Sequence, residues 1–248
     1  SIGARSCAAS NACGRVIIAQ NTILMTLDHT ALAFGATNSG AALTGTTPQQ
    51  QVRMTQSGFG TVTWTATASQ PWLKVTPASG TGATIFRVSV EFDPSLPLAG
   101  TVTGTVAIQL SGADAAVGPI TVTLTTQPTG ASSAPFGSID TPLDGTGGVV
   151  GSIGVTGWAL DDLGVAQVRI MRNAVAGEGG GEVFIGIASI VEGARPDVAA
   201  TFPGAPKGTA AGWGYLLLSN FLPNEGNGTF TLSAYADDVD GHSTLLGS

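Results

Sequence analysis

Charge is scarce in this sequence: 10% of its 248 residues are Asp, Glu, Lys or Arg, against roughly 25% in an average soluble domain. Cations are the fewest, with nine Lys and Arg against 16 Asp and Glu, for a formal charge of -7. A chain of that sign with no basic stripe repels phosphate backbones and anionic headgroups, so neither nucleic acid nor a charged membrane surface is an expected partner. No run of 18 apolar residues occurs, so no membrane insertion is expected. A metal site on the two cysteines is not expected, since no other thiol and only two histidines, His29 and His242, are available to complete it. There is also no Gly-x-Ser-x-Gly elbow, no His-Glu-x-x-His and no phosphate loop, and the 36 glycines never fall into Gly-x-Gly-x-x-Gly between a strand and a helix. These absences disfavour hydrolase, metalloprotease and nucleotide chemistry. The expectation is a protein that is not an enzyme and carries no resident cofactor.

Apolar and hydroxyl side chains are plentiful, and 43% hydrophobic residues suffice for a core in each of one or two domains. Helix periodicity is nearly missing, whereas period-two alternation recurs. It is clear in Thr61 to Thr67, Phe86 to Phe92, Val102 to Leu110 and Ile120 to Thr126. Adding Ile23 to Leu27, Ala31 to Phe34, Gln51 to Thr55 and Trp72 to Val75 makes seven or eight strands over residues 21–127. Turn formers separate them, the profile of an antiparallel sandwich. Residues 128–135, rich in Pro, Gly, Ser and Thr, form a short semi-stiff linker. A second domain over 136–248 is expected to use strands near Phe136 to Ile139, Val150 to Leu160, Val165 to Arg172, Val183 to Val191, Trp213 to Leu218 and Thr229 to Ala236. Ala194 to Ala211, punctuated by Pro196, Pro203 and Pro206, is a loop long enough to be a candidate binding surface.

Residues 1–20 form an extended tail. Its Ser1 to Cys7 segment is no secretory signal, so export is inferred indirectly. Cys7 and Cys13 suit a disulfide closing a short loop in an oxidising compartment, the alternative being two free thiols. The apolar run Arg15, Val16, Ile17, Ile18 and Ala19, which could extend to Leu27, is surplus to a sandwich. The second domain, stopping at Ser248, is expected to lack its last strand and to leave an open edge beside Thr229 to Ala236. An edge of that kind recruits a strand, so donation of Arg15 to Ala19 between copies would give a head-to-tail filament.

Trp72 to Gly82, followed by Phe86 to Val90, resembles the signature of the BACON-type immunoglobulin-like domain. The second domain is similar to an immunoglobulin-like repeat of large secreted bacterial proteins through Val155 to Leu160, Gly193 to Val198 and Ala236 to His242. These resemblances imply two tandem immunoglobulin-like β-sandwiches on a secreted or surface-exposed bacterial protein. BACON-type domains are often proposed to bind carbohydrate or mucin.

Three groups of residues invite a site. Asp237, Asp238 and Asp240, ahead of Gly241, put three carboxylates in one turn that could suit calcium, although a plain hairpin turn uses the same residues. Asp161 and Asp162 sit in another turn. Trp64, Trp72 and Trp158 are expected in the core, while Trp213, beside Tyr215 after the long loop, is the best candidate for an exposed sugar-stacking face. His29 and His242 fall in turns and are expected to be ordinary exposed residues. The leading expectation is a structural subunit of an extracellular filament built by strand exchange with itself. The alternative is a carbohydrate-binding or adhesive module.

Overall fold

The computed structural model describes residues 21–248, so the expected disulfide of Cys7 and Cys13 and the expected donor segment Arg15 to Ala19 lie outside the described residues. The described chain is all-β, as the alternation predicts. In the first sandwich a four-stranded sheet runs β1 (Leu24–Leu27), β4 (Gln50–Ser57), β8 (Thr84–Val90), β6 (Leu73–Thr76). It faces a six-stranded sheet in the order β3 (Leu43–Thr46), β2 (Ala31–Asn38), β10 (Ile120–Pro128), β9 (Gly100–Ser111), β5 (Thr63–Ala68), β7 (Ser79–Thr81). Alternation along each strand sends one set of side chains inward. Phe34, Val52, Met54, Trp64, Phe86, Val88, Val106 and Leu124 fill the space between the sheets. One pairing departs from the antiparallel expectation: β2 and β10 run parallel, from Ala31 opposite Thr121 to Asn38 opposite Pro128. Parallel neighbours need a long crossover, and here the whole of the intervening domain supplies it.

The second sandwich pairs β11 (Phe136–Thr141), β12 (Ser152–Leu160), β16 (Gly212–Leu218) and β15 (Ser189–Val191) in one sheet. The other runs β14 (Glu182–Ile187), β13 (Val165–Asn173), β17 (Leu232–Asp238), β18 (Ser243–Gly247). Val155, Val168, Ile170, Trp213, Leu217, Ala234, Ala236 and Leu246 form its core. The single run expected over Val183 to Val191 is two strands in different sheets. Buried Ala188 marks the crossing, and its N–H donates to the Val168 carbonyl at 2.8 Å. Within the long loop the chain forms one short helix, α1 (Pro196–Thr201), started by Pro196 and carrying Asp197 in its first turn, where both are favoured.

The expected open edge beside β17 is absent. β17 is hydrogen-bonded on both sides, to β13 and, through Asp237 opposite Ser243 and Tyr235 opposite Leu245, to β18. Ser243 to Gly247 is short and has only one inward-facing large apolar residue. That residue, Leu246, is 8% exposed and supplies the side chain that the gap was expected to want from a neighbour.

Candidate functional site

The two acidic turns of the second sandwich build the junction between the domains. Asp162 Oδ2 accepts from Gln127 Nε2 at 3.1 Å, and from the backbone N–H and hydroxyl of Ser133 at 2.9 and 2.7 Å. Asp240 Oδ2 accepts from the Ser132 hydroxyl at 2.6 Å. The residues joining the sandwiches are therefore held at both ends by carboxylates. Gly35 of β2 lies so close to the Asp162 backbone that a Cβ there would stand 1.8 Å from its carbonyl oxygen, and a Cβ at Gly45 would stand 2.3 Å from the Asp240 carboxylate. Glycine is what allows this approach.

The three carboxylates of the candidate calcium turn do not converge. Neighbouring residues of a strand point to opposite faces. Accordingly Asp237 turns outward to a bidentate pair with Arg169, at 2.6 and 2.9 Å. Asp238 turns inward, its Oδ1 accepting from the Asp240 and His242 N–H groups and its Oδ2 lying 2.7 Å from His242 Nδ1. Asp240 serves the junction. Among the described residues no group of three or more His, Cys, Asp and Glu could hold a metal ion.

The stacking assignment also changes. Trp213 is 2% exposed and packs in the second core with its ring over Gly157, where a Cβ would come within 2.5 Å. Tyr215 lies against Gly186 and packs on the same core. Trp213 is brought in because it shares the inward face of β16 with Tyr215 and Leu217, two and four residues on, which pack on the same core. Trp158 stacks at 5.9 Å on Phe202, and Phe136 meets both rings edge-on. α1 contributes Val198 to this small cluster.

A cleft of about 440 Å³ opens where the sandwiches meet. The first sandwich supplies Asp28, His29, Gln49, Gln51 and Arg53 over apolar Leu32 and Ile85, and the second supplies Glu192, Lys207 and Thr209 over Leu160 and Ile190. His29 spans the cleft: its Nε2 is 3.3 Å from Glu192 Oε1, while Nδ1 stands 2.9 Å from Asp28 Oδ1 without hydrogen-bond alignment. Asp28 is fixed by β4, accepting the Arg53 N–H at 2.8 Å. Lys207 belongs to the long loop. Its backbone is left-handed, φ 53° and ψ 30°, and its stem passes over Gly164, where a Cβ would lie 3.9 Å from the lysine Cδ. Burial pushes the Lys207 ammonium below its ordinary pKa, against the field of Glu192. Among the described residues no Ser or Cys lines the cleft beside His29. The arrangement can bind through amides, acids and two cations beside aliphatic walls.

The sequence singled out the long loop but set His29 aside. Nothing in the spacing of His29, Glu192 and Lys207 announces that they meet, since His29 lies 163 positions before Glu192.

Beneath the junction Asp161 is buried, and its Oδ2 accepts from the Leu163 and Gly164 N–H groups at 2.7 and 2.8 Å. Its Oδ1 has no hydrogen-bond partner among the described residues. Burial, with the nearby charges of Asp162 and Asp238, raises its pKa to about 6, in spite of those two hydrogen bonds. A folded pKa above the unfolded value gives stability that is complete below about pH 3.8 and lost as pH rises through about 6. Asp161→Asn keeps an acceptor for both N–H groups and cannot ionise. Urea titrations should show the variant roughly 1–3 kcal/mol more stable than the parent at pH 8 and nearly equal to it at pH 4. An equal difference at both pH values would refute the buried charge. Asp237 has the opposite sign: Arg169 holds its pKa near 2, so its contribution is present above about pH 3.8 and lost as pH falls towards 2.

Residues 24–125 match the family model described as the viral BACON domain, and the first sandwich is a BACON-type domain. No curated protein is similar to the chain. Among solved structures, a Bacteroides ovatus GH5 xyloglucanase bound to a XXXG heptasaccharide is 19% identical over 43% of this chain, which spans 19% of the enzyme's chain, with a TM-score of 0.29. A Porphyromonas gingivalis protein of unknown function is 9% identical over 89% of this chain and 97% of its own, at 0.32. The YadV chaperone is 9% identical over 89% and 96%, at 0.31. These likenesses are too loose to carry a function.

Proposed function

We propose that the chain is a non-catalytic glycan-binding module, exported or surface-displayed, whose ligand lies in the cleft between its two sandwiches. The observation that carries this reading is the lining of that cleft. Gln49, Gln51, Asp28 and Glu192 offer donors and acceptors suited to sugar hydroxyls, and Ile85 and Ile190 offer flat aliphatic contact for a pyranose face. Ligand sites favour such junctions, with apolar walls and a few polar groups. The BACON-type first domain agrees with it. On a glycan array, the protein should retain a defined set of saccharides, and Gln51→Ala with Glu192→Ala should weaken that binding at least tenfold, since each removes a polar partner. Retention unchanged by both substitutions would sink the cleft as the site.

Assembly by strand addition is the second reading. It is favoured by the outer edges of β14 and β18, which have no strand partner among the described residues, and by exposed Phe184, Ile187 and Leu245 on those strands. Arg15 to Ala19 is the donor this reading requires. Negative-stain images of the full chain should then show fibres that vanish when residues 1–20 are removed, and dispersed particles in both samples would dismiss it.

A further inference from the structure

The cleft holds a cation without a close counter-ion among the described residues. Lys207 belongs to no ion pair among the described residues; Glu192 acts on it only from beyond 4.0 Å, its short contact being to His29. The lysine also occupies a left-handed backbone position, which Asn or Gly adopts far more readily than a long side chain does. Strain of this kind is commonly kept at ligand sites. Across the cleft, Arg53 of β4 is exposed and likewise unpaired among the described residues. A partly buried ammonium in such a setting is best completed by an anion brought by the ligand.

Resting on the glycan reading above, we infer that the cleft takes a saccharide bearing a single carboxylate, anchored by Lys207 with Arg53 facing it from the other sandwich. The charge balance limits the ligand to one acid. Asp28 and Glu192 stand in the same cleft, and the chain carries a formal -7, so a polyanion meets repulsion that a monoacid largely escapes. Uronates and sialic acids both present this chemistry.

Calorimetric titration of the full chain decides the matter with four probes. They are a disaccharide ending in glucuronate, the same disaccharide with that carboxyl reduced to the alcohol, a sialyl-lactose and a galacturonate oligomer. The acid disaccharide should bind at least tenfold more tightly than its reduced form, the increment of one charge-assisted hydrogen bond. Preference for sialyl-lactose over the glucuronate probe would identify the source of the carboxylate and equally support the inference. The oligomer should bind no better than the monoacid. Lys207→Asn suits the left-handed backbone, and it should bring the acid-to-neutral ratio close to one, while Lys207→Arg should preserve the preference. Equal affinity for the acid and reduced disaccharides overturns the carboxylate inference and leaves the glycan reading standing, as does a ratio untouched by Lys207→Asn. Failure of every saccharide, here and on the array, overturns the glycan reading itself. A peptide with a free C-terminal carboxylate, titrated beside the four saccharides as a control, overturns the assignment to saccharide if it binds more tightly than any sugar.

Discussion

Gly35→Val should separate the two sandwiches. The new side chain would start 1.8 Å from the Asp162 carbonyl oxygen, and neither partner is a flexible tip that can swing aside. Gly35 lies within β2, its N–H donating to the Thr47 hydroxyl at 2.8 Å, and Asp162 is bound through its carboxylate to Gln127 and Ser133. Overpacking a tight contact costs about 1–3 kcal/mol when the site can adjust, and here adjustment means moving one domain from the other. Small-angle scattering should therefore show a larger maximum dimension, and cleft-dependent binding should fall by tenfold or more. Gly118→Ala is the control, since a Cβ there meets nothing within 4 Å. An unchanged scattering profile for Gly35→Val would show that the junction yields more easily than its packing implies.

Trp213→Ala should act on folding, through the second core. The ring is 2% exposed and is packed over Gly157 between the sheets, so its removal combines lost burial with a large cavity, at a cost of about 3–5 kcal/mol. Denaturant unfolding should show that loss in the second sandwich, with the transition of the first little changed. Saccharide affinity measured where the variant is still folded should stay within a few-fold of the parent, because Trp213 does not line the cleft. A stable variant that had lost saccharide binding would return Trp213 to the role of a stacking face.

Both substitutions bear on what could be seen from the residues alone. Alternation in Thr61 to Thr67 or Ile120 to Thr126 is local, and it predicts a strand and its buried face because side chains along a strand alternate. The same logic misjudged Val183 to Val191, a nearly continuous apolar run in which the chain changes sheets at Ala188. It also passed over β18, a five-residue strand at the end of a loop. For the acidic turns, composition could say that Asp237, Asp238 and Asp240 are close in sequence. It could not say that one would bind Arg169, one its own turn and one Ser132.

The sequence by itself determined the class of fold, two stretches of short alternating strands divided by a Pro-, Ser- and Thr-rich connection, and it removed the common catalytic and nucleic-acid motifs from consideration. Each of those properties depends on residue type and near neighbours. The tertiary structure alone decided the site. His29 and Glu192 are 163 positions apart, and their meeting with Lys207 depends on how two independently packed sandwiches dock. That docking is set by Gly35, Gly45, Asp162 and Asp240 at long-range contacts, where no periodicity exists to be read.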